Sequence, residues 1–319
     1  MELQRKKDGT IRVRSRFMLR FFMLSAIVCA AGLALSYCGR SLYLAKTASG
    51  GTARSLHRLW QEQDYAGVYE GAAAVLKGDF LNSTALEFKG FASFYLAVSS
   101  NVPAESQMYL DEAINALRLA LRGSTPSSLP RIQYMLGKSY FYKNNFSSYH
   151  YYSDLAIQYL TAARGSGYTA DDIPEYLGLC YASLGMTDES ISAFTEALLA
   201  RESDTLLLAI AEQYCKNQQY AAARQYLFRV NEKSNADDVV VRSNILLGNV
   251  AVAEGDLDAA RQEFSLVLEK DPNSADACYG LGVIYEAKGD LVRARAEWRK
   301  ALRLQVNHPG ALKKLAEYK

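Results

Sequence analysis

Residues that carry chemistry are scarce in this chain. Of its 319 residues three are histidine, His57, His150 and His308, and they lie far apart. No HExxH, CxxC, GxSxG or GxxxxGK[ST] spacing occurs, so the common metalloprotease, dithiol, hydrolase and nucleotide signatures are missing. The two glycines of "RGSGYT", starting at Arg164, are too few for a phosphate loop and read as an insert between structural units. Each histidine therefore reads as a surface or packing residue. No catalytic residue, metal ligand set, cofactor or small-molecule substrate is expected, and the chain is read as a non-enzyme. The five cysteines divide into Cys29 and Cys38 near the N-terminus and Cys180, Cys215 and Cys278 farther on. One disulfide among the last three would leave an odd thiol, so these read as small core residues. Also missing is any β-branched alternation bounded by turn residues, and there are only six prolines. Strands are not expected, and the Ala, Leu and Tyr content favours helices.

Charge is unevenly placed. Residues 1–20 hold Arg5, Lys6, Lys7, Arg12, Arg14, Arg16 and Arg20 against Glu2 and Asp8, a net of +5. With +2 for the whole chain, the remaining 299 residues stand at −3. A weakly acidic body is a poor match for nucleic acid, and no nucleic-acid partner is expected. Between Arg20 and Arg40 lie nineteen uncharged residues, "FFMLSAIVCAAGLALSYCG". As a helix this run would span roughly 28 Å, close to the roughly 30 Å hydrocarbon core of a bilayer. Basic flanks stay in the cytoplasm, so residues 1–20 are read as a cytoplasmic tail and 21–39 as a single-pass anchor. Two other readings stay open, cleavage at Ala34-Leu35-Ser36 and lipidation at Cys38, where Tyr37 is bulkier than such sites favour. All three send the rest of the chain across the membrane. The expected location is a bacterial inner membrane with the body in the periplasm.

What the chain does have is repetition. "LGNVAVAEGDLDAARQEF" begins at Leu247 and "LGVIYEAKGDLVRARAEW" at Leu281, 34 residues later. Gly248 recurs as Gly282, Gly255-Asp256-Leu257 as Gly289-Asp290-Leu291, Ala260 as Ala294 and Phe264 as Trp298. Each unit reads as helix, tight turn, helix. Small residues sit where two helices approach and large ones fill the gaps, so the units must stack to bury their apolar stripes. The pattern resembles the tetratricopeptide repeat (TPR) family, whose Leu-Gly, Tyr, Ala, aromatic, Ala positions are met in 275–308 by Leu281, Gly282, Tyr285, Ala294, Trp298 and Ala301. Residues 241–274 match with Leu247, Gly248, Ala260, Phe264 and Pro272, and 171–204 with Leu177, Gly178, Tyr181, Phe194 and Ala197. A weaker unit fits 204–237 through Tyr214 and Ala223, and "YMLG", ending at Gly137, opens another near Pro130. A further helix pair around Gly90 and Ala113 looks stretched by about ten residues at "SSNVPAESQ". The expected organisation is the tail 1–20, the anchor 21–39, a linker 40–50, and an all-α, right-handed α-solenoid over 51–319. The solenoid has six or seven repeats and a cap helix at 310–319.

The resemblance implies a surface rather than a reaction. In that family the first helix of each unit lines a concave face. The positions concerned give Phe91, Phe94, Tyr95, Tyr134, Lys138, Phe141 and Tyr142 here, an aromatic band holding one base. Aromatic anchors in a groove suit peptide recognition, while packing against the second helices is the competing reading. The family's clamp for a peptide carboxylate is absent, because Arg131, Lys138, Arg242 and Asn249 do not fall in its pattern. Protein or peptide partners are thus expected, with the membrane engaged through 21–39. By resemblance, anchored proteins of this plan serve as assembly factors or parts of envelope machines, the periplasmic collar of spirochaete flagellar motors included. The alternatives are a non-catalytic regulatory subunit of a cell-wall enzyme and a translocon-associated chaperone-like subunit.

Overall fold

The computed structural model describes residues 53–146 and 151–318, which form fifteen α-helices, one short 3₁₀ turn and no strand. Among these residues no helix is long and apolar enough to cross a membrane. The run 21–39, with the tail before it and Cys29 and Cys38 inside it, lies outside the described residues, as does His150. The chain divides into two compact units, one ending at Ser124 and the other beginning at Thr125.

The first unit contains α1 (Ala53–Gln61), α2 (Tyr65–Gly78), α3 (Ser83–Ser99) and α4 (Pro103–Ala120). The expected ten-residue stretch at "SSNVPAESQ" is not a loop. Ser100, Asn101 and Val102 alone connect α3 to α4, and the surplus lengthens the two helices to 17 and 18 residues. Pro103 explains this, since its missing N–H and fixed φ suit the first position of a helix. The second unit runs through α5 (Leu129–Asn144), α6 (Tyr151–Gly165), α7 (Ile173–Ser183), α8 (Thr187–Ala200), α9 (Asp204–Lys216) and α10 (Tyr220–Lys233). It continues through α11 (Asp237–Glu254), α12 (Leu257–Lys270), α13 (Ala275–Ala287), α14 (Leu291–Leu304) and α15 (Pro309–Glu317). Successive helices pair, and α15 closes the stack.

The turns follow from local chemistry. Gly255 and Gly289 take φ +82°, the left-handed conformation glycine reaches without steric cost. The next residue then caps the second helix: Asp256 accepts from the Ala259 N–H and Asp290 from the Arg293 N–H, both at 3.0 Å. Between α9 and α10 the same turn is built with Gln218 at φ +57° and with Gln219, which makes no side-chain cap.

Packing inside most pairs rests on a glycine facing a large side chain, while in α9–α10 Ala211 takes that place against Leu227. A Cβ added to Gly178 would lie 2.4 Å from the Phe194 ring, and one on Gly248 2.7 Å from Phe264. Gly282 stands in the same relation to Trp298, and Gly280 presses on Phe264 from the following pair. Phe194, Phe264 and Trp298 are among the largest fully buried side chains. Where the family pattern has alanine on the second helix, Ser190 is buried and donates to the Gly178 carbonyl at 2.8 Å, so its hydroxyl costs little. Ion pairs between neighbouring repeats cover the outside, among them Arg164–Glu196 at 3.0 Å, Lys288–Asp258 at 3.1 Å and Arg224–Glu254, and Lys270–Asp237 at 2.6 Å ties α12 to α11 within one pair. Exposed pairs of this kind contribute about 0–1 kcal/mol each.

Glycine to alanine within a helix ordinarily gains about 0.5–1 kcal/mol. Gly78→Ala, which meets open space, should keep that sign, whereas Gly178→Ala drives a methyl into Phe194 and should cost about 1–3 kcal/mol. Thermal or urea unfolding of the two variants beside the parent reads the opposite signs; equal signs would contradict this packing account.

Candidate partner-binding surface

The first unit places its three expected site residues on α3. Phe91 and Phe94 are 5% and 3% exposed, while Tyr95 is 36% exposed. Phe91 packs against Trp60 of α1 with ring centres 5.8 Å apart, and Tyr95 stacks on Tyr65 at 4.5 Å. Trp60 also meets Phe88 and Tyr95 at 6.0 and 5.6 Å, so one indole organises the end of this helix pair. Burial therefore commits Phe91 and Phe94 to packing and leaves Tyr95 as the accessible member.

In the second unit Tyr134, Lys138, Phe141 and Tyr142 rise along α5 and meet α7 and the segment before it. The Tyr134 hydroxyl donates to the Asp172 carboxylate at 2.7 Å, and Lys138 reaches the same carboxylate at 3.0 Å. The Lys138 ammonium also lies over the rings of Tyr134 and Tyr176, 5.1 and 4.9 Å from their centres. Tyr142 and Tyr176 share a hydroxyl–hydroxyl bond of 3.3 Å, and Phe141 meets Tyr176 edge-on at 4.8 Å. Burial, then the bond to Asp172, pushes the Tyr134 phenol far above its usual value; burial and Tyr142 do the same to Tyr176. Both phenols stay protonated at neutral pH. The four residues are brought together, but their polar groups are directed largely at one another and at α7. The Lys138 charge is balanced by Asp172, so this is a rigid seam with an aromatic edge and not a free basic site.

A larger concavity lies farther along the unit, where sequence reasoning named no site. A cavity of about 900 Å³ opens between α9, α11, the α12–α13 turn and the end of α14. Glu212, Cys215 and Lys216 come from α9, Arg242, Ile245 and Leu246 from α11, Asp271 and Asp276 from the turn and the start of α13, and Leu304 from α14. Arg242 pairs with Glu212 at 2.6 Å. Burial pushes the Glu212 carboxyl up, with Arg242 and then Lys216 pulling it back. A side pocket of about 280 Å³ adds Tyr220, Asn249 and Val250 and shares Cys215, Lys216 and Leu246. At the far rim Asp276 is fixed by His308, whose Nε2 lies 3.0 Å from Asp276 Oδ1 while its Nδ1 accepts from the Ala311 N–H at 3.1 Å. That acceptance makes His308 the cap of α15.

Glu212, Cys215, Lys216, Arg242, Ile245 and Asp276 occupy the same first-helix positions that pointed to Tyr134 and Phe141. The signal was thus present in the repeat frame, but aromatic content drew the earlier choice. Nothing in the cavity is activated for covalent chemistry. The Cys215 thiol is pushed up to about 11, by burial and then by the Glu212 charge. Among the described residues no cluster of three or more His, Cys, Asp or Glu could hold a metal. The arrangement is suited to binding.

A raised thiol pKa lowers the thiolate fraction at pH 8 by roughly two orders of magnitude. The greater nucleophilicity of the more basic thiolate returns about one of them. Cys215 should therefore alkylate about tenfold more slowly than an unstructured thiol at pH 8. Its rate should keep climbing with pH to about 11, as followed by site-resolved mass spectrometry; a plateau near pH 9 would contradict this electrostatic picture.

Residues 169–316 match the family described as the tetratricopeptide repeat protein 21 C-terminal ARM domain. A relative described as a probable biofilm formation methyltransferase, WspC, of Pseudomonas putida is 39% identical over 75 residues. That match spans 23% of this chain and 18% of the length of the relative. Among solved structures, the C-terminal part of a TPR repeat-containing protein from Cytophaga hutchinsonii superimposes with a TM-score of 0.55 at 16% identity, covering 82% of this chain and 98% of that one. YrrB, a TPR protein with an unusual peptide-binding site, is 25% identical with a TM-score of 0.46, covering 64% of this chain and 100% of its own. With the paired helices, the 34-residue recurrence and the glycine–aromatic contacts, the fold likeness is consistent along the second unit: the chain is a TPR-like helical repeat protein.

Proposed function

We propose that the chain is a membrane-anchored scaffold that holds protein or peptide partners on the first-helix face of its second unit, outside the cytoplasm, for assembly of an envelope complex. The observation that carries the binding role is the 900 Å³ cavity, open and lined by both signs of charge over apolar side chains. Such a lining suits a polypeptide segment, which brings apolar and charged side chains together.

The location rests on sequence physics. Nineteen uncharged residues follow seven bases, an arrangement that places the N-terminus in the cytoplasm and the body on the other side. In such a protein the anchor limits the search to the membrane surface, and the repeats supply the selectivity.

Cross-linking in intact cells with mass spectrometry tests both parts. The full chain should capture a small, reproducible set of extracytoplasmic proteins, and the charge reversal Arg242→Glu should reduce their yield at least severalfold without loss of helicity. Capture of cytoplasmic proteins alone would overturn the topology. Unchanged capture by a folded Arg242→Glu variant would move the binding surface elsewhere.

A further inference from the structure

The cavity between α9, α11 and α13 is electrically polarised along the stack. At one end Lys216 and Arg242 are both exposed, and the single acid beside them, Glu212, is half-buried and already paired with Arg242. That end keeps a net positive charge. At the other end Asp271 and Asp276 stand with no base among the cavity's own residues there, and the Asp276 side chain is 61% exposed. His308 Nε2 lies 3.0 Å from one Asp276 oxygen, and the rest of that side chain stays exposed. Ile245 and Leu246, one turn along α11 from Arg242, add an apolar floor to the cavity.

We infer that this cavity selects a partner segment carrying an acidic residue, an apolar residue and a basic residue in spatial order, the acid over Lys216 and Arg242 and the base over Asp271 and Asp276. The inference rests on the reading that this face holds partners and adds the chemistry of what it takes. Packed helices stand about 8–10 Å apart, so Asp276 on α13 is one step from Arg242 on α11 and two steps from Lys216 on α9, a span of roughly 8–20 Å. An extended chain advances about 3.3 Å per residue. The acid and the base therefore sit about two to six residues apart with the apolar residue between them. A segment with two charges of one sign would meet repulsion at one end, which is how like-charge placement excludes wrong partners.

The test uses the full chain in mild detergent and fluorescent synthetic peptides of eight residues, read by anisotropy. One pair has acid, leucine and base at this spacing, written in both chain directions; the controls carry two acids, two bases, or serine in place of leucine. One direction of the mixed-charge leucine peptide should bind at least about tenfold more tightly than any control, and should slow alkylation of Cys215 at pH 9. Lys216→Glu should transfer the preference to the two-base peptide, and Asp271→Lys, which brings the acidic end only to neutral beside Asp276, should remove the preference for the mixed peptide over the two-acid one, with helicity and melting checked for each. Lys216→Gln, a milder change at an exposed position, should weaken the mixed peptide without creating a new preference. Equal binding of all peptides, preferences unmoved by either reversal, or occupation of the cavity by a second copy of the chain would overturn the inference. If cellular partners are still lost in Arg242→Glu while the peptides show no charge order, the scaffold reading stands and the charge order falls. If partners also persist in that variant, both fall.

Discussion

The close approach of two helices, at a glycine in most pairs and at Ala211 in one, is the contact on which the repeat stack depends. At Gly178, Gly248 and Gly282 the first helix of a pair offers bare backbone to an aromatic ring sixteen residues later, on Phe194, Phe264 and Trp298. A single methyl at any of the three would lie 2.4–2.7 Å from that ring. The ring is buried only because the glycine admits it, and the helices meet at this angle only because the ring fills the space. Phe264 is further pressed by Gly280 of the next pair, so the same side chain that closes one repeat also seats its neighbour. Such nearest-neighbour packing allows a repeat chain to be stable without long-range contacts.

From that constraint the proposed binding surface follows. With α8, α12 and α14 fixed by their aromatic plugs and α6 and α10 by Leu160 and Leu227, the first helices α5, α7, α9, α11 and α13 are held in succession and their outward positions are free to vary. In the α5–α7 stretch those positions were filled with tyrosines and one lysine that bond to each other and to Asp172, giving a stiff seam. In the α9–α13 stretch they were filled with smaller and charged residues, and the shortfall in volume is the cavity. One scaffold therefore shows two surfaces of different character, a consequence of side-chain size at equivalent positions and not of any change in backbone plan.

The sequence disclosed the fold where the repeat is regular. Gly248, Phe264, Gly282 and Trp298 recur at a fixed offset, and the offset is itself the packing rule. It disclosed less where the partner of the glycine changes: Gly90 meets Leu117 and Gly137 meets Leu160, at spacings of 27 and 23 residues, because helices of different length bring different turns opposite each other. The apparent insertion before α4 was absorbed into two long helices, since Pro103 starts a helix as readily as it breaks one. The expected site fared unevenly. Tyr134, Lys138, Phe141 and Tyr142 do converge, but an aromatic residue satisfies a groove position and a packing position equally well, and Trp60 draws Phe91 inward. The cavity was hidden because its residues come from α9, α11, α12–α13 and α14, more than ninety positions of sequence, and none is distinctive alone.

Hydrogen–deuterium exchange of the full chain, free and saturated with a partner recovered from cells, tests the central claim most directly. If the stacked first helices are the working surface, bound-state protection will concentrate in α9, α11 and the start of α13, and α8, α10 and α12 will exchange as before. Protection centred on those second helices, with α9 and α11 unchanged, would show that the partner reads the opposite face and that the cavity is only a by-product of the packing.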